Sequence, residues 1–139
     1  MNSSRKPRIL IVDDEAEIRT LIAEILTHDG FEIQEAGSAE EAFQILDVFA
    51  ANLLITDYSL PNANGSALIG KAKSVFPNIK CLMITGWSEL PNPLEGQTRA
   101  DVIVTKPFCI SMVETEALRL LADRLESPNP VSSVAQESC

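Results

Sequence analysis

Positive charge is in short supply. Eleven lysines and arginines stand against 20 aspartates and glutamates, a net charge of −9 in 139 residues. So acidic a surface repels phosphate backbones and anionic lipid headgroups alike, which argues against direct nucleic-acid or membrane binding. Long apolar runs are missing too. None approaches the roughly 18 residues that a bilayer span needs, and the basic start (Arg5, Lys6, Arg8) leads into a short apolar stretch that stops at Asp13. The expectation is a soluble, cytoplasmic protein. Cysteine is sparse, and Cys81, Cys109 and Cys139 have neither a metal-ligand spacing nor an even framework, so they read as free thiols in a reducing compartment. The single histidine, His28, falls at the end of a helical pattern and reads as a solvated side chain, not a phosphoryl carrier. An apolar content of 45% at this length supports one domain with a sizeable core.

What is present is organised around Leu53-Leu54-Ile55-Thr56-Asp57-Tyr58-Ser59-Leu60-Pro61. An apolar run that ends on a carboxylate and then turns reads as a strand buried on both faces, with Asp57 at its carboxyl end. Similar runs at 8–12, 80–84 and 102–105 end on Asp13-Asp14, Thr85 and Lys106-Pro107. Residues 31–36 alternate apolar and polar in their first half, as a half-exposed edge strand does.

Between these runs lie helical patterns. Asp14-Glu15-Ala16-Glu17 has the form of a capping box, and Ile18, Leu21, Ile22, Ile25 and Leu26 predict a helix over 15–28 that stops at Gly30. Ser38-Ala39-Glu40-Glu41 is a second box, followed by Ala42, Ile45, Leu46 and Phe49 on one face. A third helix is expected over 66–74, ended by Pro77, and a last one from the box Ser111-Met112-Val113-Glu114, with Ala117, Leu118, Leu121 and Leu125 inward. Where a fourth crossover helix is needed, Pro91 and Pro93 intervene. Each proline inside a helix costs about 3 kcal/mol, so this helix is expected to be short, displaced or replaced by a loop. Residues 1–7 read as a disordered lead, 8–126 as the domain, and 127–139, with Pro128 and Pro130, as a disordered tail.

Five strands alternating with helices call for an α/β fold, a doubly wound parallel sheet with right-handed crossovers. The strand order 2-1-3-4-5 puts the first and third strands side by side, so that Asp13, Asp14 and Asp57 meet in one crevice. Three neighbouring carboxylates repel and destabilise the empty site unless a cation sits among them, and an all-oxygen set suits magnesium or manganese. Thr85 supplies a hydroxyl and Lys106 a positive charge, the partners a phosphoryl group requires. Asp57, flanked by both, is the natural nucleophile for an acyl-phosphate.

In order and spacing, Asp13-Asp14, Asp57 with Pro61 and Gly65 after it, Thr85-Gly86, and Lys106-Pro107-Phe108 closely resemble the receiver domain of two-component response regulators, over about residues 7–126. The resemblance implies a flavodoxin-like, chemotaxis-regulator-like fold. It implies that Asp57 takes a phosphoryl group from a histidine on a sensor kinase or phosphotransfer protein, and that phosphorylation switches binding of a downstream protein. Asp14 and Asp57 resemble direct magnesium ligands, with Asp13 acting through water and the Ser59 carbonyl completing the set. Thr85 resembles the switch hydroxyl and Lys106 the cation on the phosphoryl group, its bond to Pro107 usually cis in the family. Apart from that transfer and a slow autodephosphorylation, no enzyme activity is implied.

Two positions depart from the family. Ile103 stands where a switch tyrosine or phenylalanine is usual, and Pro91-Asn92-Pro93 replaces helix four, so Trp87 or Leu90 is expected to take over the aromatic's part. Two other readings are a degenerate receiver serving as an interaction module and an aspartyl-phosphate phosphatase. The second lacks its acid/base aspartate, for which Ser59 stands here. Residues 127–139 are too few for an output domain, leaving a standalone protein or a piece of a longer one.

Overall fold

The buried runs become neighbours in one sheet because each is too apolar to face water on either side. A computed structural model describes residues 6–86, 99–123 and 133–135. In chain order the elements are β1 (Arg8–Val12), α1 (Ala16–His28), β2 (Glu32–Ala36), α2 (Ala39–Leu46), β3 (Leu53–Asp57), β4 (Ser59–Leu60), β5 (Ala63–Asn64), α3 (Gly65–Val75), β6 (Lys80–Gly86), β7 (Val102–Lys106), α4 (Ile110–Asp123) and β8 (Ser133–Ala135). The main sheet runs β2-β1-β3-β6-β7-β8, and every pairing in it is parallel. The five expected strands therefore take the order 2-1-3-4-5. The sixth was not expected: part of the segment read as a tail, Ser133–Ala135, is a strand beside β7, and the rest of 127–139 lies outside the described residues.

Side chains alternate across the sheet, and that alternation divides the core in two. Ile9, Ile11, Leu53, Ile55, Leu82, Ile84, Val102 and Val104 pack with Ile22 and Leu26 of α1 and Val113 and Ala117 of α4. Leu10, Val12, Leu54, Cys81, Met83 and Ile103 pack with Ala42 and Leu46 of α2 and Leu68 and Ile69 of α3. Each fully buried leucine or isoleucine contributes about 1.5–3 kcal/mol, so β3, buried along its whole length, is the anchor. At the amino end of the sheet, Asp101 Oδ2 accepts the Cys81 N–H (2.8 Å) and pairs with Lys73 Nζ (3.0 Å). Among the described residues no helix is long and apolar enough to cross a membrane.

Helix starts differ from the sequence pattern in ways the backbone explains. Glu15 is the N-cap of α1 and makes no side-chain cap; the helix begins one residue too late for the box led by Asp14, and Asp13 Oδ1 accepts the Glu15 N–H (2.8 Å). Half of the Ser38 box forms: Ser38 Oγ accepts from Glu41 N–H (3.1 Å), while the Glu41 carboxylate reaches one residue further back, to Gly37 N–H (2.8 Å). Ser111 lies inside α4, which starts one residue earlier, at Ile110. The cap of α3 is Asn64, whose Oδ1 accepts the Ala67 N–H (2.8 Å). Of the cysteines, Cys81 is a buried free thiol, its pKa pushed up to about 12 chiefly by burial. Cys109 is disulfide-bonded, which corrects the expectation of free thiols, and Cys139 lies outside the described residues. The proline-interrupted fourth segment, with Trp87 and Leu90, also lies outside them.

The loop after Asp57 is a small antiparallel ladder: β4 pairs with β5 across Pro61 and Asn62, the latter at φ 62°, a left-handed conformation asparagine tolerates. It returns Gly65 so close that its N–H donates to the Tyr58 carbonyl (2.7 Å), and a Cβ at 65 would lie 2.5 Å from the Asp57 carbonyl oxygen. Gly65→Ala should cost about 2 kcal/mol or more of unfolding free energy, because backbone must move. Gly70, inside α3, is the control: a Cβ there would meet nothing within 4 Å. Gly70→Ala should stabilise by about 0.5–1 kcal/mol. Urea unfolding of the two variants separates them by sign; equal effects would show that the close approach at Gly65 does not matter.

Candidate functional site

The register decides which residues share the carboxyl rim. Val12 is level with Thr56, and Asp57 with Ile84, so Asp13 and Thr85 follow at neighbouring steps, and Lys106 is level with Gly86. Oxygens of Asp13, Asp14 and Asp57 all lie within 4.8 Å of one another. Lys106 Nζ stands 3.2 Å from Asp57 Oδ1. Asp13 and Asp57 are buried, at 2% and 3% exposure, whereas Asp14 faces solvent at the rim.

Asp13 is held from several sides. Its N–H donates to the Ala36 carbonyl (3.1 Å), and its own carbonyl accepts from Arg19 Nη1 (2.8 Å), a guanidinium also paired with Glu35 (3.0 Å). Of its carboxylate, Oδ1 takes the Glu15 N–H, but Oδ2 is buried without a hydrogen-bond partner among the described residues. Burial therefore raises the Asp13 pKa above the usual 3.8, against the opposing pull of the Glu15 N–H and Lys106; Glu15 and Asp14 add to the rise. For Lys106, burial pulls the pKa down, but the charge and hydrogen bond of Asp57 with the charges of Asp13 and Glu15 outweigh it, and the net shift is upward. The ammonium is firmly charged at neutral pH.

A buried carboxylate oxygen without a donor, beside two more carboxylates, fits a hard divalent cation with oxygen preference. The donor set is all oxygen, which suits magnesium or manganese better than softer metals.

Thr85 is fully buried and follows the file of Cys81 and Met83, the α2/α3 side, whereas Asp13, Asp57 and Lys106 continue the files on the α1/α4 side. Its Oγ1 donates to the Gly86 carbonyl at a long 3.4 Å. Ser59 opens β4 two residues past Asp57, exposed; Ile103 is buried on the α2/α3 side; the Lys106–Pro107 peptide is cis. The sequence pattern did not single out Glu15 or Arg19. Arg19 lies one helical turn past Glu15 and five residues past Asp14, which is a weak signal, and its Glu35 partner comes from β2, distant in sequence.

The chain matches the family model described as the response regulator receiver domain over residues 9–117. It is 36% identical over 103 residues to the phosphate regulon transcriptional regulatory protein PhoB of Pseudomonas aeruginosa, covering 72% of this chain and 45% of that protein. It is 33% identical over 117 residues to the aerobic respiration control protein ArcA of Escherichia coli, covering 84% and 49%. The chain thus spans about half the length of these relatives. Among solved structures, a CheY-like receiver domain protein from Methanospirillum hungatei superposes with TM-score 0.79 at 30% identity, covering 86% of this chain and 96% of that one. The receiver domain of NtrX from Brucella abortus gives 0.74 at 31%, covering 82% and 98%.

The charge at Asp13 has a measurable consequence. A carboxyl whose pKa is raised in the fold binds its proton more tightly folded than unfolded, so ionising it costs stability as pH rises past 3.8. In metal-free buffer at pH 7, Asp13→Asn should therefore unfold later than the parent, by about 1 kcal/mol. The gap should close as pH falls toward 3.8, and added magnesium should favour the parent. Lower stability of Asp13→Asn in chelator at pH 7 would contradict this account.

Proposed function

The chain belongs to the response regulator receiver family, and from that premise we propose that Asp57 is its phosphoacceptor, charged by a phosphohistidine donor on a sensor kinase or phosphotransfer protein. The observation that carries the reading is the Asp57 carboxylate itself: buried, joined to Lys106 at 3.2 Å and crowded by Asp13 and Asp14 within 4.8 Å. An Asp57 oxygen attacks phosphorus, an acyl O–P bond forms, and the P–N bond to the donor breaks with its electron pair returning to the imidazole. Lys106, fixed beside the nucleophile, neutralises charge on the phosphoryl oxygens as they move toward Asp57. Asp14 and Asp57, with the Ser59 carbonyl and Asp13 acting through water, would hold magnesium, which when bound offsets both the carboxylate repulsion and the phosphoryl charge.

Thr85 is the hydroxyl that a phosphoryl group on Asp57 recruits. Its long bond to the Gly86 carbonyl is a weak tether, and a charged phosphoryl oxygen is a stronger acceptor. Ile103 fills the place of the family's switch aromatic, so an aliphatic side chain takes that position on β7. Its packing beside Met83 supports a readout by repacking within the α2/α3 core. Turnover of a phosphate ester finds less support, since Ser59 offers no carboxyl two residues past the nucleophile. The receiver would act in the cytoplasm, where the donor histidine and the downstream protein partner are met.

Incubation with magnesium and acetyl phosphate should add one phosphoryl group per chain, read by intact-mass spectrometry. Asp57→Asn should remove it, and Lys106→Ala should slow its appearance by about 10²-fold. Undiminished phosphorylation of Asp57→Asn would end the proposal.

A further inference from the structure

The two edges of the main sheet are protected in different ways. At one edge, β2 carries Glu32, Gln34 and Glu35 exposed, and acidic side chains discourage pairing with another chain. At the other, β7 reads Val102-Ile103-Val104-Thr105, buried, uncharged and β-branched throughout, with no such protection before Lys106. An edge of this composition is a template for strand addition. It is covered: Ser133–Ala135 pairs with it in parallel, Val102 level with Ser133, Ile103 with Val134 and Val104 with Ala135.

We infer that β7 is a strand-accepting surface whose resident occupant is the chain's own Ser133–Ala135, a guard strand that must leave before another extended polypeptide can pair there. Chain geometry favours the same molecule over a second copy. The 14 residues of α4 run about 21 Å back along the sheet, returning the chain toward the level where β7 begins. Residues 124–132 then separate Asp123 from Ser133. Nine residues reach about 30 Å, against a lateral step of about 4.8 Å between strands. The parallel direction is the one a β-α-β connection delivers. This inference does not depend on the chemistry at Asp57.

Ladder N–H groups alternate in direction along a strand, so of two consecutive residues one must donate toward β7. Val134→Pro/Ala135→Pro therefore removes a ladder bond in either phase. Hydrogen exchange of the full chain, in reducing buffer so that the Cys109 disulfide is open in parent and variant alike, should show the β7 amides exchanging about tenfold faster or more in the variant. Amides of β1 and β2 should be unchanged. Unchanged β7 protection would overturn the inference, as would equal acceleration in β2, which would mark global loosening. Light scattering should find the parent monomeric; a dimer that the double substitution dissolves would overturn the intramolecular assignment in favour of an exchanged strand.

Discussion

Like charges held at one rim are the constraint on which the rest of this structure depends. Strand order places β1 against β3, and the register leaves Asp13 and Asp57 with nowhere to go but beside one another. Two carboxylates at the separations found here repel by a few kcal/mol even at an effective dielectric of about 20. Lys106 offsets part of that at Asp57. The donors around Asp13, from Glu15 and Arg19, spend themselves on one carboxylate oxygen and the backbone carbonyl and leave Oδ2 without one. Stability is surrendered locally for a site that welcomes positive charge, and the apolar sheet behind it supplies the rigidity that keeps the groups from separating.

Much of this was legible in the residues. Uncharged apolar runs ending on Asp57, Asp13, Thr85 and Lys106 announced buried parallel strands, because only a strand covered on both faces can dispense with polar alternation. The rim residues followed from the strand ends. What stayed hidden was local competition for backbone donors. Asp14 and Asp13 are equivalent as letters, yet Asp13 captures the Glu15 N–H, and the N-cap position falls to Glu15 and not to Asp14. Asn64 caps α3 in a stretch that looked like plain loop, since the signal, an asparagine three residues before Ala67, is short and common. The β4–β5 ladder and β8 were invisible for a related reason: two or three residues carry too little pattern to be told from coil.

The edges of the sheet show how one fold solves one problem twice. A strand outermost in sequence pattern, β2, can afford acidic residues because half its surface already meets water. β7 cannot, for its residues on both faces are needed in the two cores, so its protection comes from further along the chain. The same strand ends in Lys106, so the backbone that anchors the cation also carries the guarded edge.

The division of rim residues between the two sides of the sheet has a mechanical corollary. Asp57 and Lys106 extend the files backed by α1 and α4, while Thr85 extends the file backed by α2 and α3. On the proposed reading, a tetrahedral group attached to Asp57 and held by both Lys106 and the Thr85 hydroxyl would act as a rivet through the β-layer, pulling against both halves of the interior at once. Small displacements at the tip of β6 would then be felt by helices on opposite faces, without any one helix having to carry the message alone.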